Sequence, residues 1–351
     1  MINKRNNILK AIGFDKPEYI PMFFCINDAC WKYYQQDALF ELMEEHRFLF
    51  PDFVRPQDVH APNYSLVARK HSPYVDDWGC LWETTEDGIT GTVTRHPLAD
   101  WSVFKDYKAP DPEHFSGIGP IDWKEAAAGI LKAKAQGNIA QGGLRHGHTF
   151  LQLCDIHGYN NLILDMADDE PNLKKLISMV EKFNMYIVQK YLDLGVDIIY
   201  YPEDLGMQNG PMISPAHFRK YIKPSYQRLM TPARNKDSIV HMHSDGYLHD
   251  LIDDIIDGGV DVINLQDLVN GIDWIACKFS GKLCVELDID RQFITYKGTP
   301  EQINSLIREE VQKIGSKHGG LMMVYGLYPG VPLENVKALM DVMEKYAFYY
   351  S

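Results

Sequence analysis

From about residue 120 onward the chain alternates stretches of helical period with short apolar runs closed by glycine or a carboxylate. Ala126–Ala135 carries a helical pattern, and Asn138-Ile139-Ala140-Gln141-Gly142-Gly143 reads as a strand running into a turn. Asn172–Leu194 is helical, Asp197-Ile198-Ile199-Tyr200-Tyr201 is a strand ending at Pro202-Glu203-Asp204, and Ser214-Pro215 caps a further helix. Strands are predicted at Ser238–His243, Val260–Leu265, Leu283–Leu287 and Leu321–Tyr325. Helices over Tyr247–Ile256, Pro300–Ile314 and Pro332–Tyr346 lie among them. Six β-then-α units in succession predict a parallel sheet with right-handed crossovers.

A closed barrel fits this order better than an open sheet. No glycine-rich fingerprint follows an early strand, and polar residues recur at the carboxyl ends of the strands. Tyr19–Cys25 supplies the first strand. Residues 70–120 interrupt the alternation: Val75–Trp82 and Gly88–Arg95 read as a small β-insertion, followed by a loop holding Pro110-Asp111-Pro112. The expected fold is α/β, a (β/α)8 TIM barrel with a β-insertion near residues 70–120, forming one domain over residues 1–351.

Composition narrows the partners. Acidic residues outnumber basic ones by 48 to 35, a formal charge of −13, which argues against a general affinity for nucleic acid. No apolar run reaches the length of a membrane span, and Met1–Lys10 is polar, without a secretory signal. The six cysteines, at 25, 30, 80, 154, 277 and 284, show no CxxC spacing, which fits reduced thiols in a cytoplasmic protein.

In a barrel the reacting groups sit at the carboxyl ends of the strands. Collected there are Asn27, Asp28, Arg145, His146, His148, Glu203, Asp204, His241, His243, Asp245, Gln266, Asp267, Glu286, Asp288, Asp290 and Tyr325. Such a ring, rich in histidine and carboxylate, suits a divalent metal or a pair of proton-transfer groups and suits phosphate poorly. The strand carrying His241-Met242-His243 is expected to end at this pair, which lets both imidazoles reach one space and, with a neighbouring carboxylate, bind metal. The alternative leaves one imidazole buried and the other exposed, with Asp204 and Asp245 capping helices. Tyr200, Tyr201, Tyr325 and Tyr328, with Trp78 and Trp82 of the insertion, suggest aromatic walls for a planar ligand, or else core packing.

Several segments resemble the uroporphyrinogen decarboxylase superfamily: Leu287-Asp288-Ile289-Asp290-Arg291-Gln292, Gly298-Thr299-Pro300-Glu301-Gln302-Ile303, Gly319-Gly320-Leu321-Met322 and Val331-Pro332-Leu333-Glu334-Asn335-Val336. Glu203-Asp204-Leu205-Gly206-Met207-Gln208, Ile213-Ser214-Pro215 and Asp77-Trp78-Gly79-Cys80 are also similar. The resemblance runs from about residue 70 to the C-terminus and implies a TIM barrel. True porphyrinogen decarboxylases carry arginines after the first strand to receive substrate carboxylates. Phe24–Tyr34 here has none.

The Asp-Trp-Gly-Cys and Gly-Thr-Pro-Glu stretches are closer to the corrinoid-dependent methyltransferases. Thiol-methylating members of that branch hold zinc through His-x-Cys and a distant cysteine. His241 matches the first ligand, His243 replaces the first cysteine, and Val324-Tyr325-Gly326 lacks the second. The resemblance therefore implies an O-demethylating methyltransferase, moving a methyl group from a methoxylated aromatic to the Co(I) of a corrinoid protein. A family-type decarboxylase and a methylcobamide:thiol methyltransferase are the alternatives. The residues assigned are His241, Tyr325 and Asp204 for catalysis, and His241, His243, Glu203 and Glu286 for zinc. Tyr200, Tyr201, Trp78, His146 and His148 are assigned to substrate.

Overall fold

The structure, a computed structural model, describes residues 4–351. Among these residues ten strands form: β1 (Met22–Ile26), β2 (Tyr74–Val75), β3 (Leu81–Glu83), β4 (Thr92–Arg95), β5 (Gln141–Gly143), β6 (Ile198–Asp204), β7 (Ile239–Asp245), β8 (Val262–Gln266), β9 (Cys284–Asp288) and β10 (Leu321–Leu327). Seven of them run parallel in the order β1-β10-β9-β8-β7-β6-β5, and helices follow each. The fold is TIM-barrel-like, as the alternation predicts.

The hydrogen-bonded ladder has seven strands where a (β/α)8 barrel has eight. β1 and β5 are its two ends. Residues 46–73 hold only turns and a short 3-10 helix at Leu66–Ala68. Pro51, Pro56 and Pro62 explain this locally, since each removes a backbone donor that a ladder requires.

The insertion is an antiparallel sheet, β2-β3-β4. Val75–Trp82 is not one strand, because Asp76 folds it into a turn. Its Oδ1 accepts from the Trp78 and Cys80 amides (2.9 and 2.8 Å) and its Oδ2 from the Trp82 indole (2.8 Å). The asparagine-like reach of a short carboxylate to amides two and four residues on favours the turn over a continuous strand.

Two cores follow from the strand alternation. One face of the strands packs on the surrounding helices, in a cluster that includes Tyr201, Met242, Leu265, Leu287 and Tyr325. The other face turns into the barrel, where Ile198, Val262, Cys284 and Met322 form a floor with Phe23, Tyr200 and Ile239. The helix Lys4–Ile12 closes that floor from below with Ile8, Ala11 and Ile12, anchored by two hydrogen bonds from Arg5 to Asp197 (2.9 and 2.7 Å). All six cysteines are free thiols, and no helix among the described residues is long and apolar enough to cross a membrane.

Candidate active site

β6 and β7 pair in the register Tyr200↔His241, Pro202↔His243, Asp204↔Asp245. Alternation then sorts β6: Tyr200 and Asp204 face the barrel interior, while Tyr201 and Glu203 face the helices. β7 does not end at the histidine pair but continues to Asp245. Spaced two apart, His241 and His243 share the inner face at successive levels, so no strand end is needed to bring both inward.

The deeper level holds His241, nearly inaccessible, with Nε2 2.8 Å from Glu286 Oε2 and its ring against Tyr200 at 4.4 Å. At the mouth His243 meets Asp204 and His146, the latter from the loop after β5. Nε2 of His146 and Nε2 of His243 lie 3.3 and 3.5 Å from the same Asp204 Oδ1. The zinc set expected from sequence is therefore divided: His241 and Glu286 form one pair, and His243 belongs to another.

Glu203 joins neither. It is fully buried, accepting from the Thr149, Phe150 and Leu151 amides at the start of the helix Phe150–His157 and from the Tyr226 hydroxyl. A carboxylate suits the exposed donors of a helix N-terminus, and this one is consumed there. Tyr325 also points outward, its hydroxyl donating to Thr295 Oγ1 at 3.1 Å, and burial pushes it up to about 12. Tyr201 donates to the Leu229 carbonyl. His148 is buried against Thr149, Tyr201 and Tyr226, where burial pushes it down to about 3. Trp78 packs on Phe183, leaving Trp82 as the tryptophan that faces the mouth.

The mouth trio is a candidate metal site. Asn264 Nδ2 donates to the Glu286 carbonyl, which fixes the amide so that Oδ1 faces His243 Nδ1. That nitrogen must therefore carry a proton, and Nε2 is the one turned toward Asp204. Separations of 3.3 and 3.5 Å are long for charged hydrogen bonds, usually about 2.7–2.9 Å. They match the edge of about 3.3 Å between ligands of a tetrahedral ion with bonds of about 2.0–2.1 Å. The three ligand atoms lie within 4.8 Å of one another. Burial opposes charge on Asp204, but the hydrogen bonds and charges of His146 and His243 outweigh it and hold its carboxyl well below the usual carboxylate range.

A cavity of about 890 Å³ covers this trio. One wall is polar, with Arg145, His146, Asp204, His243, Asp245, Asp288 and Arg291. The other is mostly apolar and comes largely from the insertion and its flanks: Leu66, Val67, Trp82, Val93 and Ile118. Arg145 bridges the two, its guanidinium over the Trp82 ring at 5.4 Å. Sequence reasoning passed over Arg291 as a site residue and the aliphatic part of the wall, although Trp82 and Tyr328 were among its aromatic candidates and do line the cavity. The aliphatic part carried no signal, because no periodicity says which insertion side chains lean over the barrel.

Fold and mouth together define a TIM-barrel-type protein with its ionisable groups gathered at the strand carboxyl ends. The chain belongs to the uroporphyrinogen decarboxylase (URO-D) family, whose model matches residues 76–346. Among solved structures, a methyltransferase from Methanosarcina mazei aligns with a TM-score of 0.67 and 17% identity over 99% of each chain, a likeness of fold. A B12-independent methionine synthase from Shewanella sp. W3-18-1, in complex with selenomethionine, aligns with a TM-score of 0.42 and 13% identity over 66% of this chain and 68% of that one. A search of curated proteins finds no match.

Proposed function

We propose that the protein is a methyltransferase that takes the methyl group of a methoxylated aromatic and passes it to the Co(I) corrinoid of a partner protein. The observation that carries this reading is the mixed lining of one cavity, which brings Leu66, Val67, Trp82 and Val93 together with His146, Asp204 and His243. The ring lies against Leu66, Val67, Trp82 and Val93, with its ether oxygen toward His146, Asp204 and His243.

These three residues would hold a zinc ion. Bound there, zinc supplies a Lewis acid for the ether oxygen, whose departure as phenolate is the costly part of the reaction. Asn264 keeps the His243 ring turned for ligation, and Glu286 steadies His241 in the layer beneath. The apolar wall excludes water, so charge developing on oxygen meets undiluted electrostatic stabilisation. The methyl carbon leaves oxygen in line with the incoming nucleophile. Both electrons of the broken bond stay on oxygen, which takes up a proton as the phenol departs.

The test is a visible-absorption assay with zinc-loaded protein, reduced cob(I)alamin or a corrinoid protein, and a panel of methoxylated aromatics. Loss of the Co(I) band that depends on the protein and on one class of substrate is the expected result. Silence across the panel would discard the reading. Decarboxylation is the second reading, favoured by Arg291 in the cavity, which could receive a substrate carboxylate. Carbon dioxide release from a carboxylated arene or pyrrole without corrinoid would mark it.

A further inference from the structure

The cavity contains two arginines with opposite commitments. Arg145 spends every nitrogen on the protein: Nε on the His146 carbonyl, Nη1 on Gln152 and Nη2 on Asp155, at 2.7 to 2.9 Å. Arg291, in the loop after β9, spends one. Its Nη2 donates to Asp288 Oδ2 at 2.7 Å and stands 3.8 Å from Asp245 Oδ2, and its guanidinium lies over the Tyr328 ring at 5.4 Å. Among the described residues no protein acceptor takes Nε or Nη1.

The surroundings keep that edge open. Gly326 faces it from β10, where even an added Cβ would come within 3.5 Å of Nη1, so no side chain of that strand competes for the donors. The guanidinium is held by an ion pair and an aromatic ring, which leaves Nη1 as a single charged donor on the side of Gly326. Asp245 links the two ends of the polar wall, with Oδ1 3.8 Å from His243 Nε2 and Oδ2 3.8 Å from Arg291. Arg291 and the mouth trio are thus one carboxylate apart, a separation on the scale of a single aromatic ring.

We propose that Arg291 receives, through Nη1, a carboxylate carried on the substrate ring at the end away from His243. This rests on the cavity being the substrate site, as under the methyl-transfer reading, but not on the transfer itself. It makes Arg291 a specificity-determining residue for aromatic acids over their neutral counterparts.

The test compares binding of 3-methoxybenzoate and 3-methoxybenzamide to the full-length protein by calorimetry, without corrinoid, in wild type and Arg291→Gln. A charge-assisted pair predicts that wild type binds the acid at least about tenfold more tightly than the amide. Arg291→Gln should erase that preference, and Arg291→Lys should retain part of it. Equal binding of acid and amide by wild type, binding of neither, or a preference that survives in folded Arg291→Gln would overturn the proposal. An acid preference with a silent cobalt assay would discard methyl transfer and keep the anchor. Turnover without the preference would do the reverse.

Discussion

Glu203 and Asp204 are consecutive residues of β6 with the same charge, yet one caps a helix and the other meets two imidazoles. The difference is parity along the strand, and it decides which carboxylate stands beside His146 and His243. Asp204→Asn should weaken zinc binding by more than the roughly 10–100-fold that losing an outer-shell partner costs. Glu286→Gln, on the His241 level, should leave zinc affinity within a few-fold of wild type. Competitive titration against a zinc-sensing dye separates the two, and equal losses would return the ion to the deeper histidine. Parity was hard to read from the sequence because strands of a parallel sheet are apolar on both faces. Tyr200 and Tyr201, or Met242 and its histidine neighbours, give no hint of which side is the barrel. The ring of candidates was legible from its place at strand ends, and His146, Asp204, His241 and His243 do face the barrel. Glu203, Tyr201 and Tyr325 were one residue out of phase.

At the scale of elements, the mouth depends on two loops touching backbone to backbone. The loops after β6 and β7 meet at Gly206 and Gly246, where a Cβ on Gly246 would fall 2.2 Å from Gly206 backbone atoms, and Gly246 has φ of 84°. Both the left-handed backbone and the close approach require glycine. Gly246→Ala should therefore cost about 3 kcal/mol of stability through strain and overpacking, measured as a fall in the urea midpoint. A midpoint within error of wild type would show that the loops can part freely. Most elements after residue 120 follow their sequence pattern, and Pro300–Ile314 matches residue for residue, closed by a Thr299–Gln302 capping box. Tyr247–Ile256 was overread, since only Ile252–Ile256 is helical. Upstream, Val75–Trp82 looked continuous because a turn built by one aspartate leaves no mark on hydrophobic period.

For the molecule as a whole, one buried acidic contact sets a pH response. Glu310, inaccessible in the helix Pro300–Ile314, faces the equally buried Asp267 at the end of β8. Burial, reinforced by the Asp267 charge, raises Glu310 well above the usual carboxylate range. Burial also pushes Asp267 up to about 6, against the hydrogen bonds it receives. Both groups hold protons more tightly folded than unfolded. Their contribution is therefore complete below the unfolded carboxylate range and is lost as pH rises through about 6 and beyond. Melting temperature should fall from about pH 5 to about pH 8, and Glu310→Gln should flatten that slope. A wild-type profile already as flat as the variant's would remove the pair from the account.

The open ladder between β1 and β5 has a further consequence. The imidazoles and carboxylates of the mouth are carried by β6, β7 and the turn after β5, which share backbone hydrogen bonds. Part of the facing apolar wall, Trp82 and Val93, hangs from a separate sheet that shares no ladder with the barrel. The two halves can therefore vary independently: exchange of the insertion would alter one side of the cavity and leave the ladder that carries His146, Asp204 and His243 intact.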